Sequence, residues 1–94
     1  MSMPVIESGY PINLSASGVV CAKPCTILGF YVNSNTGGTA TMNLLDGGSG
    51  GTALCGTITP AIGFHRFPAM CGSAAYFTKV SGTIDVTVFF QPAS

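Results

Sequence analysis

Thr83-Ile84-Asp85-Val86-Thr87-Val88-Phe89-Phe90 is the stretch that decides the fold. Ile84, Val86, Val88 and Phe90 fall on one side of an extended chain, and Thr83, Asp85, Thr87 and Phe89 on the other. Side chains of a strand point alternately to opposite faces, so this stretch predicts a strand with one face on a core. Working backwards, Ser81-Gly82 carries a hairpin signal. Residues 74–80 predict another strand, with Tyr76 and Val80 inward. Residues 39–45 alternate Ala40, Met42 and Leu44 against Thr39, Thr41 and Asn43. Residues 26–33 place Leu28, Phe30 and Val32 on one face.

Shorter strands are expected at 12–14, 19–22 and 52–59, the last with Leu54 and Ile58 on one face and Pro60 at its end. Phe64 and Phe67 flank His65-Arg66 in a segment that reads as a sheet edge or corner. Turns rich in Gly, Ser, Asn and Pro separate these runs. No ten-residue run combines helical apolar spacing with freedom from Gly and Pro. Seven or eight short strands predict an all-β fold, an antiparallel β-sandwich of jelly-roll-like type. Its expected core is Leu28, Phe30, Val32, Met42, Leu44, Ile58, Ile84, Val86 and Val88. Residues 1–11 read as an extended N-terminal arm, 12–91 as a single domain and 92–94 as a tail.

Composition narrows the function. The chain has 94 residues, 3 Lys+Arg, 3 Asp+Glu and a formal net charge of zero, with 6% charged residues; about 25% is usual. The length suits one domain with one small core. So few cations argue against a grip on nucleic acid or on anionic lipid. Disorder is not expected, because 47% of the residues are hydrophobic. Mixed surface charge keeps free monomers apart. A chain without it is expected to bury much of its surface against partners. The start of the sequence lacks a cationic and apolar signal pattern, and no apolar run is long enough to span a membrane. Folding in a cytoplasm is the expectation.

Chemistry-bearing residues are few. Cys21, Cys25, Cys55 and Cys71 read as free thiols, ahead of one or two disulfides or a metal site. Cys71, His65 and Asp85 could be assembled into a catalytic trio on paper, but their spacing gives that no support. The glycine-rich run 46–51 has no phosphate-binding signature, and one carboxylate is too few for a calcium loop. No catalytic residue, cofactor, metal or small-molecule substrate is therefore expected. Tyr10, Tyr31 and Phe89 are candidate exposed aromatics, most simply subunit contacts. Pro4, Val5 and Ile6 are candidate partner-binding residues of the arm, which is expected to add a strand to a neighbour's sheet.

An ordered series of segments resembles a known group. Leu14-Ser15-Ala16-Ser17-Gly18-Val19-Val20 is followed by Leu28-Gly29-Phe30-Tyr31-Val32-Asn33-Ser34 and a strand closing on Leu45-Asp46. Thr57-Ile58-Thr59-Pro60, Gly63-Phe64-His65 and the final Gly82-Thr83-Ile84-Asp85-Val86-Thr87-Val88 complete it, over about residues 12–90. The series resembles small virion proteins of tailed bacteriophages, of the capsid decoration (cement) type. The resemblance implies a non-enzymatic protein on the outer capsid surface. It would bind the major capsid protein and copies of itself as a homotrimer or dimer. The four cysteines depart from that pattern. A tail or fibre component is the nearest alternative. A small carbohydrate-binding module is a third, for which Asp46 with Asn43, or Arg66 with Phe64, are the candidate pairs.

Overall fold

The computed structural model describes residues 9–92. Pro4, Val5 and Ile6, with most of the expected arm, lie outside the described residues. Eight strands follow one another: β1 (Tyr10–Leu14), β2 (Gly18–Cys21), β3 (Cys25–Asn35), β4 (Thr41–Asp46), β5 (Thr52–Ala53), β6 (Gly63–Cys71), β7 (Ala75–Ser81) and β8 (Ile84–Pro92). They form two four-stranded sheets, ordered β1-β8-β3-β6 and β2-β7-β4-β5.

The order follows from nested pairing. β4 pairs with β5, β3 with β6, β2 with β7 and β1 with β8, all antiparallel. The chain is thus one long ribbon doubled back between β4 and β5. Rolling that ribbon brings β8 beside β3 and β7 beside β4. This is a jelly roll, the double-sheet arrangement that stacks two inner faces about 10 Å apart.

Ile27, Phe30, Val32, Ile84, Val86 and Val88 from one sheet meet Val20, Met42, Leu44, Ala75 and Phe77 from the other. All are buried, and Ile58 packs half-buried against them. Full burial of each large aliphatic or Phe side chain contributes about 1.5–3 kcal/mol. At one end of the core, Cys21, Cys25 and Cys71 are buried as free thiols. At the other, the amide of Asn35 accepts from the Ala40 N–H at 2.9 Å and donates to the carbonyls of Pro60 at 2.9 Å and Ala40 at 3.3 Å. Deleting that side chain would strand buried partners, at a cost of about 1–3 kcal/mol.

Several sequence expectations are corrected. Leu28 is not a core residue. Ile27 lies opposite Phe90 while Gly29 lies opposite Phe89, so Leu28 is the extra residue of a β-bulge in β3. The bulge turns Ile27 inward and leaves Leu28 half-buried on the outer side. β7 buries Ala75 and Phe77, not Tyr76 and Val80. Phe77 stands directly opposite the buried Leu44, and opposed residues share a face. Ser81-Gly82 is no hairpin, because β7 and β8 belong to different sheets. Gly82 instead turns the chain between sheets at φ 79°, where a Cβ would lie 2.7 Å from the Ala40 Cα.

The expected strand 52–59 is reduced to β5 and a bridge between Ile58 and Met42. Between them the Asn43 side-chain oxygen takes the Leu44 N–H and the Cys55 thiol, displacing regular pairing. Tyr10 and Pro11 are strand rather than arm, since they pair with Phe90 and Phe89. Pro92 closes β8 opposite Cys25 rather than opening a tail.

The register of β8 has a direct test. Val86→Asp places an unpaired charge in the core, a change costing more than about 4 kcal/mol. Thr83→Asp, at an exposed position, changes stability by no more than about 0.5 kcal/mol. Circular dichroism melts should show the first variant unfolded and the second close to wild type.

Candidate functional site

β3 meets β8 through two bulges, and these build the outer face of the β1-β8-β3-β6 sheet. Beyond Leu28, the register shifts again at Asn33, between the Val32–Val86 and Ser34–Asp85 pairs. Cys25, Ile27, Phe30, Val32 and Asn35 are buried as a result, while Leu28, Tyr31 and Asn33 are left outward. Alternation along β8 supplies Asp85, Thr87 and Phe89 to the same face, β1 supplies Asn13, and β6 supplies Phe64 and Arg66.

One row across the sheet is Asn13, Thr87, Tyr31 and Phe64. The next is Pro11, Phe89, Gly29 and Arg66. Gly29 therefore forms a floor between larger neighbours. A Cβ there would lie 2.6 Å from the His65 carbonyl oxygen and 2.8 Å from Phe64 Cζ, so the Phe64 ring leans over it. The rings of Phe64 and Phe89 have their centroids 6.1 Å apart. With Leu28, Tyr31 and Arg66 they line an open cleft of about 310 Å³. Tyr31 is 43% and Phe64 56% exposed.

Beside the cleft runs a polar strip. The Asn13 amide nitrogen donates to Asp85 Oδ1, to Thr87 Oγ1 at 3.2 Å and to the Val86 carbonyl at 3.3 Å. The Asn33 amide nitrogen donates to the same Thr87 oxygen at 2.9 Å, with a longer contact to Asp85 Oδ1 at 3.5 Å. Asn33 reaches both because, as the bulged residue, it sits between their rows.

Tyr31 and Phe89, named from the sequence, are thus brought together. Tyr10 is not. It pairs with Phe90, their centroids 6.0 Å apart, and Phe90 packs on the core side. Phe64 with Arg66 forms part of the face. Asp46 with Asn43 does not form a ligand pair. The Asp46 carboxylate accepts the backbone N–H groups of Gly72, Ser73 and Ala74 at 3.0, 3.0 and 3.2 Å. It ties the end of β4 to the β6–β7 turn, and these bonds hold its carboxyl below the usual carboxylate range. Asn13, Asn33 and Thr87 carry no signal of this site in the sequence, and Leu28 reads there as core. Asp85 and Thr87 stand on the outward row of the most regular strand, but their partners depend on where β3 bulges.

The paper trio comes apart. His65 stacks on the buried Phe30 at 5.1 Å between centroids, on the opposite side of the sheet from Asp85. Cys71 lies opposite Cys25 in the ladder. Burial, then the neighbouring Cys21 and Cys71 thiols, push Cys25 up to about 12. Burial and the Asp46 charge raise Cys71 as well. Both are protonated and poorly nucleophilic at neutral pH. Among the described residues no group of three or more His, Cys, Asp or Glu is placed to hold a metal ion.

Comparison with protein-family models, with curated proteins and with solved structures finds no match for this chain.

Two measurements check the local chemistry. The depressed Asp46 carboxyl contributes stability above the unfolded pKa, and that contribution is lost as pH falls through the folded pKa. Asp46→Asn should therefore melt below wild type at pH 7, with the gap closing in acid below the ordinary carboxylate range. Separately, a thiol reagent at neutral pH should label the half-buried Cys55 of the folded chain. Cys21, Cys25 and Cys71 should react only after denaturation.

Proposed function

We propose that this chain is a non-enzymatic structural protein of a tailed bacteriophage. It decorates and stabilises the capsid from the outer surface, as a homo-oligomer docked on the major capsid protein. The observation that carries this reading is apolar exposure on a surface nearly without charge. β6 lies at the edge of its sheet, with Met70 80% exposed on the strand and Ile62 65% exposed just before it. Long edge strands in stable monomers are commonly guarded by charge or covered. In β6 only Arg66 and Pro68 guard the edge. Such an edge suits burial against a second copy, and a repetitive shell multiplies weak contacts by avidity. The jelly roll recurs in viral capsid proteins and in lectins, a likeness of fold that favours neither function by itself.

Quantitative gels of purified particles of the encoding phage test the proposal. On the order of hundreds of copies per particle are expected, as symmetry-repeated shell sites require. A few copies would move the chain to the tail or fibre, and absence from the particle would overturn the reading. Light scattering of the free protein should show a trimer or dimer that Met70→Lys with Ile62→Lys converts to monomer.

A further inference from the structure

We propose that the outer face of the β1-β8-β3-β6 sheet binds a neutral oligosaccharide. Its sugar rings would lie in the cleft of Tyr31, Phe64 and Phe89, with its hydroxyls donating to the Asn13–Asp85–Asn33 strip. The cleft adjoins the edge contact of the decoration reading, since Phe64 stands on the same outward row of β6 as Met70, but its other two rings, Tyr31 and Phe89, belong to the inner strands β3 and β8.

The apolar half of the argument is geometric. A cleft of about 310 Å³ is lined by three aromatic rings, Leu28 and Arg66, and the absence of a side chain at Gly29 lets the Phe64 ring settle over the sheet. Aromatic faces carry partial negative charge, and the C–H groups on one side of a pyranose ring present partial positive charge to them. A flat, ring-sized partner with C–H groups on its face therefore suits this cleft.

The polar half sets the class of ligand. A carboxylate oxygen only accepts hydrogen bonds, so the Asn13 amide must turn its nitrogen to Asp85. The Asn33 amide commits its nitrogen to Thr87 Oγ1, with Asp85 beyond. Both amide nitrogens are spoken for inside the strip. The amide oxygens and the carboxylate are acceptors, so the strip calls for a ligand rich in donors. The Asp85 carboxylate disfavours an anionic group at the strip, phosphate groups included. An extended peptide brings as many carbonyls as N–H groups, and the strip has few donors for them. A polyol brings donors without that demand. Asp85 and Phe89 are four residues apart on β8, about 14 Å at about 3.4 Å per residue. The face is therefore longer than one sugar ring, and an oligosaccharide fits it better than a monosaccharide.

The test is an amide-shift titration of the isotope-labelled full chain with cellohexaose, maltohexaose, chitohexaose and mannohexaose. At least one should give saturable shifts confined to Tyr31, Asn33, Phe64, Asp85, Thr87, Phe89 and their neighbours. Tyr31→Ala and Phe64→Ala should each weaken that binding about tenfold. Both side chains are substantially exposed, so melting curves of the variants should stay close to wild type and separate lost binding from lost fold. The proposal is overturned if none of the four sugars binds, if the shifts map to another face, or if both variants bind as wild type does. It is also overturned if Tyr31→Ala dissociates an oligomer, since the face then belongs to a second copy.

Discussion

The pairing of β3 with β8 is the contact on which the molecule depends. It joins the inner and outer turns of the rolled ribbon, and it sits in the middle of its sheet. Val86 and Val88 face the core beside Val32 and Phe30 only because that register holds. A slip of one residue would carry the whole apolar row of β8 to the solvent side. The two bulges prevent a uniform register along β3 and pin it at particular residues. They add twist, and they reverse twice which residues face inward. One irregular strand thereby serves two purposes. It closes the core with Ile27, Phe30, Val32 and Asn35, and it sends Leu28, Tyr31 and Asn33 to the opposite face.

The ends of the core are held by polar groups acting locally. Asn35 binds two loops at one end through a buried amide. Asp46 gathers three successive backbone N–H groups outside the other. In a chain with so few ionisable groups, one of its acids is committed to a backbone turn and another to the Asn13–Thr87 strip. Its stability rests chiefly on packing and on hydrogen bonds.

The legible part of the sequence was the part with strict alternation. β8 and β4 declare their faces because Val86, Val88, Met42 and Leu44 stand two apart with polar residues or Phe89 between. β3 misleads for the same reason: Leu28, Phe30 and Val32 also stand two apart, yet a bulge moves Leu28 out and Ile27 in. In β7, Tyr76 and Phe77 offer large side chains on both faces, and only the pairing with Leu44 chooses between them. Of the outer face, Tyr31, Phe89 and the Phe64–Arg66 pair could be named singly. Their assembly into one cleft could not, because it depends on the nested pairing of strands distant in sequence.

That nesting has a consequence for the chain as an object to be rebuilt. β1 lies against β8, so the two strands that come first and last in the order are side by side, with Tyr10 opposite Phe90. A linker could bridge this pole while new ends are opened in the glycine-rich turn between Asp46 and Thr52. Such a circularly permuted chain would keep every sheet neighbour but would lose the local turn from which the ribbon doubles back. The pairing closest in sequence would then be the one that is now the most distant, β1 with β8.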